Sequence, residues 1–231
     1  DEVFVGDPNV VTPSSDEIRY LCDVVNAFIR ATITPGDVVW AYSGVRSLYG
    51  EHGGAAQDVT RDYHLDLDEQ FHEAPLLTVY GGKITTYRRL AEAALIKLEH
   101  YFAPETEWTA TAPLPGGDFA YGRLDAEAAK ARLAWPFLGE ATIRRMVLAY
   151  GTRMPLVLGA AQRAEDIGPT FGPELSAAEV RYLMAEEWAE TADDVLWRRS
   201  KLGLTVNTEQ REALARFMAD ATGRTHTASV G

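Results

Sequence analysis

Two places in this chain set a cation directly behind a short apolar run and small residues. The first is Tyr42-Ser43-Gly44-Val45-Arg46 and the second is Tyr80-Gly81-Gly82-Lys83-Ile84-Thr85-Thr86-Tyr87-Arg88. In open α/β sheets, ligands collect at the carboxyl ends of strands. Glycine at such a point lets a ligand approach the backbone. A helix that starts there turns unbonded N–H groups and its positive end toward an anion. Gly81-Gly82-Lys83 with Thr85 and Thr86 is therefore a candidate cradle for a phosphate, a carboxylate or an electron-rich ring. The same residues also read as a plain turn before a helix, and Arg46 as a surface charge, so residue types alone leave both readings open. Lys83 does not complete a P-loop, and no G-x-G-x-x-G occurs.

Other chemistries find less support. His52, His64, His72, His100 and His226 show no metal-binding spacing and read as exposed or strand-surface side chains. Cys22, the only cysteine, excludes an intramolecular disulfide and any multi-cysteine zinc site. It lies on the apolar side of a helix and reads as core rather than nucleophile. No G-x-S-x-G elbow is present. No metal ligands are assigned.

The elements that must position the two cations follow from patterning. Residues 1–7 read as a short strand running into a turn at Gly6-Asp7-Pro8. Ser14 and Glu17 fit a capping box ahead of a helix with Ile18, Leu21, Cys22, Val25, Phe28 and Ile29 on one side. Residues 38–42 read as a mostly buried strand, 62–67 as a half-buried one and 76–80 as a third, with a polar, glycine-rich loop over 50–57. A long helix is expected over 84–102. Three prolines and three glycines over 103–122 mark a linker. Beyond it only helices are expected, over 125–133, 140–149, 156–166, 177–189, 192–201 and 209–222. Ser176 with Glu179 reads as a second capping box, Asp193 and Asp194 as a helix first turn, and Gly203 as a C-cap. Trp108, Trp135, Trp188 and Trp197 are expected to pack the helices together. The acidic run at 186–194 and the basic Arg198, Arg199 and Lys201 are expected to pair.

The fold class is therefore α+β: a domain remnant of few strands plus helices over 1–103, then an all-helical domain over 104–231. The 231 residues suit one large or two small domains, and 46% apolar with 24% charged residues is ordinary globular composition. The net charge of −12 argues against sequence-independent nucleic-acid binding and against anionic lipid surfaces. No window approaches a membrane span, and the acidic opening does not read as a signal peptide. The simplest location is cytoplasmic. The first residue is Asp1 rather than methionine, so the chain reads as part of something longer.

Several stretches taken together resemble the FAD-dependent glycerol-3-phosphate dehydrogenases. They are Trp40-Ala41-Tyr42-Ser43-Gly44-Val45-Arg46-Ser47-Leu48, Thr60-Arg61-Asp62-Tyr63, Gly81 through Arg88, and Glu186-Glu187-Trp188 through Leu204. The last looks like the signature of that family's C-terminal helical domain. Ser47 stands where the family usually has proline.

The resemblance implies that residues 1–103 end an FAD/substrate domain whose Rossmann-type half lies elsewhere in a longer parent. It implies that Arg46 binds the substrate anion, that Lys83 lies beside flavin and substrate, and that Gly82, Thr85 and Thr86 approach the flavin. The implied reaction oxidises sn-glycerol 3-phosphate to dihydroxyacetone phosphate, with hydride passing to FAD and electrons to a quinone or, in the oxidase branch, to oxygen. No residue of this chain is assigned as the base for the C2 hydroxyl. The expected setting is cytoplasmic or peripheral on the inner face of the cytoplasmic membrane, any membrane contact being made by the parent, with a homo-oligomer as a candidate assembly. The chain alone is expected to be inactive. Two alternatives are a helical assembly or partner-docking module, and another FAD oxidoreductase of the amino-acid-oxidase superfamily.

Overall fold

A computed structural model describes residues 4–46, 49, 62–70, 73–103 and 108–223. The chain divides into two compact units, 1–112 and 113–231. Thr109 belongs with the first because its hydroxyl bonds Glu92, and Arg88 Nη1 donates to it at 3.1 Å.

In the first unit, helix α1 (Ser15–Asn26) begins where the sequence signals it. The Glu17 N–H donates to Ser14 Oγ at 3.2 Å, and the Ser14 N–H donates to Glu17 Oε2 at 2.7 Å, completing the capping box. Its apolar side buries Cys22, while Tyr20, Leu21 and Phe28 stay exposed. Strands β1 (Tyr63–Asp68) and β2 (Leu76–Gly81) pair antiparallel, with Tyr63 opposite Gly81 and His64 opposite Tyr80. Helix α2 (Tyr87–Lys97) follows a 3₁₀ turn at Ile84–Thr86.

Three expectations for this unit change. Residues 4–7 form no strand and lead into a 3₁₀ turn at Pro8–Val10. Residues 38–42 form no strand and join no ladder among the described residues, and Val39 is 88% exposed. A strand exists only where a neighbour accepts its backbone bonds, so β-propensity there does not suffice. The expected helix over 84–102 stops at Lys97 and unwinds through turns. Residues 1–3, the loop over 50–57, Thr60 and Arg61 lie outside the described residues.

The second unit is helical: α3 (Leu124–Ala134), α4 (Glu140–Tyr150), α5 (Met154–Leu158), α6 (Ala177–Glu186) and α7 (Thr208–Thr222). Ile143, Val180, Leu183, Val195, Leu196 and Leu214 form the centre of one continuous core. The expected helix over 156–166 breaks, since Gly159 ends α5 and a 3₁₀ turn resumes only at Ala164–Ile167. The 192–201 helix is a π-helical segment, Asp194–Arg199.

The second capping box is only half made. Ser176 Oγ accepts from the Glu179 N–H at 3.3 Å, but the Glu179 carboxylate turns inward instead. Both its oxygens take Arg145 N–H groups at 2.7 Å, and Oε1 also accepts the Tyr150 hydroxyl at 2.6 Å. Arg145 adds bonds to the side chain and backbone oxygen of Glu174. Burial and the neighbouring Glu179 charge both push the Tyr150 phenol far above its ordinary range. Burial by itself would lower the Arg145 guanidinium, but its bonds to Glu179 outweigh that.

Gly203 is not a C-cap. It sits in a 3₁₀ turn, where a Cβ would come 2.5 Å from the Trp197 ring, so the indole needs the missing side chain. Trp135 is core and Trp197 packs against it, but Trp108 and Trp188 are exposed and pack no helices. Trp188 takes φ 55° at the end of α6, where the Glu187 and Ala189 N–H groups both donate to Leu183 O. That backbone state costs a non-glycine residue about 1 kcal/mol and turns its side chain outward. The acidic and basic runs pair at Asp194, which Arg198 meets at 2.9 Å; Arg199 instead donates to the backbone oxygen of Glu187 at 2.6 Å, and Asp193 and Glu186 meet Arg211 and Arg153.

Candidate functional site

The junction after β2 holds four of the five predicted site residues. Gly81 and Gly82 have φ 68° and 94°, a left-handed pair that swings the chain from the ladder into the helix. A Cβ on Gly82 would meet Tyr63 Cβ at 3.3 Å and Leu90 Cδ1 at 3.6 Å. One on Gly81 would meet Asp62 O at 3.3 Å and Tyr49 N at 3.4 Å. The space these glycines leave is thus filled by protein, which packs α2 and Tyr49 close to the hairpin.

Lys83 follows in extended backbone and is exposed. Its carbonyl accepts the Thr86 N–H at 3.0 Å and the Thr86 hydroxyl at 2.9 Å. Thr86 therefore uses its donor to fix Lys83, while Lys83 and Thr85 remain at the surface. Behind them Arg88 Nη1 meets Glu92 Oε1 at 2.7 Å within α2 and donates to Thr109 Oγ1 at 3.1 Å. The result is a rigid helix start presenting an ammonium, a hydroxyl and backbone N–H groups, all of them donors. Such a set suits an anion or an acceptor-rich ring edge.

Arg46, the fifth residue, is exposed and stands apart from the hairpin in sequence. The link between the two regions is Tyr49, which the sequence did not single out. Its ring stacks on His64 at 4.6 Å and 4° and tilts against Tyr80 at 5.6 Å. Only the strand register could have shown this, since it is the pairing of His64 with Tyr80 that builds the aromatic face. The buried Arg145, Tyr150 and Glu179 group was also missed, because spacing alone reads Glu179 as a cap. Among the described residues, no three His, Cys, Asp or Glu side chains gather to hold a metal ion. None of the helices described is long and apolar enough to cross a membrane.

Residues 107–227 match the family described as the C-terminal domain of alpha-glycerophosphate oxidase. The chain belongs to that family. Beyond the matched domain, similarity runs through nearly all of it. It is 41% identical over 223 residues to the aerobic glycerol-3-phosphate dehydrogenase of Escherichia coli, covering 96% of this chain and 44% of that enzyme. It is 40% identical over 221 residues to the glycerol-3-phosphate dehydrogenase of Pseudomonas aeruginosa, covering 94% of this chain and 43% of the relative. It is also 40% identical over 223 residues to the D-erythritol 1-phosphate dehydrogenase of Brucella abortus, covering 96% and 44%. The chain thus spans less than half the length of the curated relatives it matches.

Proposed function

We propose that this chain is the C-terminal part of a flavoprotein that oxidises the secondary alcohol of a polyol monophosphate, with sn-glycerol 3-phosphate as substrate. The observation that carries this is the 41% identity over 96% of the chain, which includes the Arg46 and Lys83 junctions. A phosphomonoester is a dianion, and a guanidinium is suited to hold it through two parallel bonds. Arg46 takes that role. Lys83, fixed by Thr86, supplies a second positive charge where substrate and cofactor meet.

The donor set at the helix start fits FAD: Lys83, Thr85 and the first N–H groups would hold a ring edge rich in acceptors. Bound FAD would accept the hydride that leaves C2 as the alcohol becomes a ketone. This chain's part is to orient the phosphate through Arg46 and to keep positive potential beside the ring through Lys83 and the helix end. Gly82 brings that helix close to the hairpin, and Thr86 holds the Lys83 backbone. A quinone would be the electron acceptor, with the enzyme peripheral on the cytoplasmic face of the membrane.

A second reading is favoured by the Brucella relative, whose named substrate is a four-carbon polyol phosphate. Arg46 and Lys83 recognise a phosphate and serve either substrate equally. Anaerobic mixing of the whole protein with sn-glycerol 3-phosphate, D-erythritol 1-phosphate or glycerol, following flavin absorbance, separates the readings. Bleaching is expected with sn-glycerol 3-phosphate and not with glycerol. Arg46→Ala should raise the concentration needed by about 30-fold or more, since removing one partner of a bonded charge pair costs about 2–5 kcal/mol. Residues 1–231 alone should give no bleaching. Bleaching by D-erythritol 1-phosphate only would shift the assignment to the second reading, and none at all would refute both.

A further inference from the structure

We infer that Tyr49 is a positioning residue that holds Arg46 within reach of the Lys83 junction, an inference that rests on the polyol-phosphate reading above. Arg46 and Lys83 lie far apart in sequence, yet one phosphate ester must meet both. The run that carries Arg46 joins no ladder among the described residues.

Tyr49 is anchored twice. Its ring lies flat on His64, with centroids 4.6 Å apart and planes 4° apart, and leans on Tyr80 at 5.6 Å. His64 and Tyr80 are themselves cross-strand partners, so the two rings that receive Tyr49 are fixed by the ladder. Its backbone also lies against Gly81, where a Cβ would stand 3.4 Å from Tyr49 N and 3.5 Å from Tyr49 Cβ. A Cβ at 81 would thus just touch Tyr49, and the positive φ of 68° there favours glycine.

Chain geometry does the rest. Three residues of fully extended chain span at most about 11 Å, and two about 7 Å. Chain connectivity therefore keeps the Arg46 Cα within about 11 Å of the Tyr49 Cα, and the stack fixes that tether point beside Gly81, while Lys83 lies within about 7 Å of Gly81. The aromatic stack is thus a clasp that brings the run bearing one cation to the strand end bearing the other. The ring face carries this role and the phenol hydroxyl does not.

Steady-state kinetics of the whole enzyme with sn-glycerol 3-phosphate tests the clasp. Tyr49→Ala should raise KM about tenfold and leave kcat and flavin content within about twofold, while Tyr49→Phe should behave as the unaltered enzyme. Because the effect runs through Arg46, Tyr49→Ala should add nothing further in an Arg46→Ala background. An unmoved KM in Tyr49→Ala, an equal loss in Tyr49→Phe, or effects that multiply in the double variant would each overturn it. Should Tyr49→Ala fail to fold, His64→Ala removes the stacking surface from an exposed position, and an unmoved KM there overturns it equally. If the unaltered enzyme oxidises no polyol phosphate, the functional reading fails and the clasp with it. Oxidation with an indifferent Tyr49 defeats the clasp alone.

Discussion

Residues 113–223 bury Ile143, Val180, Val195 and Leu214 almost completely, whereas among the described residues of the first unit Cys22 is the buried apolar side chain. The first unit is not short of apolar residues. Phe28, Val39 and Ile84 are each nearly nine-tenths exposed. One helix in each unit makes the contrast concrete. Helix α1 has a clear apolar side and leaves Leu21 and Val25 in contact with solvent, while α6 hides Val180 and Leu183 in the core. Amphipathicity thus signals a face that favours burial and not the burial itself. The helical unit holds itself together through packing, and the unit with the candidate site is organised by hairpin, caps and aromatic contacts.

The contrast predicts where substitutions hurt. The largest effect is expected from Glu179→Ala, which leaves Arg145 and the Tyr150 hydroxyl without their shared acceptor. Breaking a buried pair from one side costs about 3–5 kcal/mol, read from urea unfolding of the chain. A loss below about 1 kcal/mol would show that the second unit does not rely on this network.

An intermediate effect is expected at Asp194. Its Oδ2 accepts from the N–H groups of Glu190 and Thr191 and from the Thr191 hydroxyl, and Oδ1 meets Arg198. Burial pushes this carboxyl up, but the bonds from Thr191 and Glu190 and the Arg198 charge outweigh it and hold it below the usual carboxylate value. With the folded value depressed, the stabilisation is complete above the unfolded value and is lost as pH falls through the folded one. Asp194→Ala should therefore cost about 2 kcal/mol at neutral pH. The gap from the unaltered chain should close as the pH is lowered below the ordinary carboxylate range. A gap independent of pH would exclude the carboxylate as its source.

The smallest effect is expected at Phe28→Ser in the first unit. The ring is 87% exposed, so the change should stay within about 0.5 kcal/mol in the same unfolding measurement. A loss of 2 kcal/mol or more would mean that the α1 face is covered in solution, and would erase the difference between the units.

Much of the architecture was legible in the residues because its causes are local. The Ser14 and Glu17 box and helices α3, α4 and α7 depend on neighbours a few residues apart, and the strands at 63–68 and 76–81 on a hairpin whose partners lie 8 to 18 residues apart. The misreadings share the opposite cause. Glu179 left its cap for partners 29 and 34 residues away, and Gly203 answers to an indole rather than to a helix end. The candidate site divides the same way. Gly82, Lys83, Thr85 and Thr86 form one continuous junction and could be named from sequence, but Thr86 proved to hold Lys83 in place.

By itself, then, the sequence determined the class of the fold, the junctions that carry Arg46 and Lys83, and the family, because motifs and caps are written in contiguous residues. The tertiary structure alone decided that Glu179 is buried among Arg145 and Tyr150, that Trp188 faces outward, and that Tyr49 stacks on His64 beside Gly81. Each of these depends on strand register or helix packing, which bring together side chains whose separation along the chain carries no local signal.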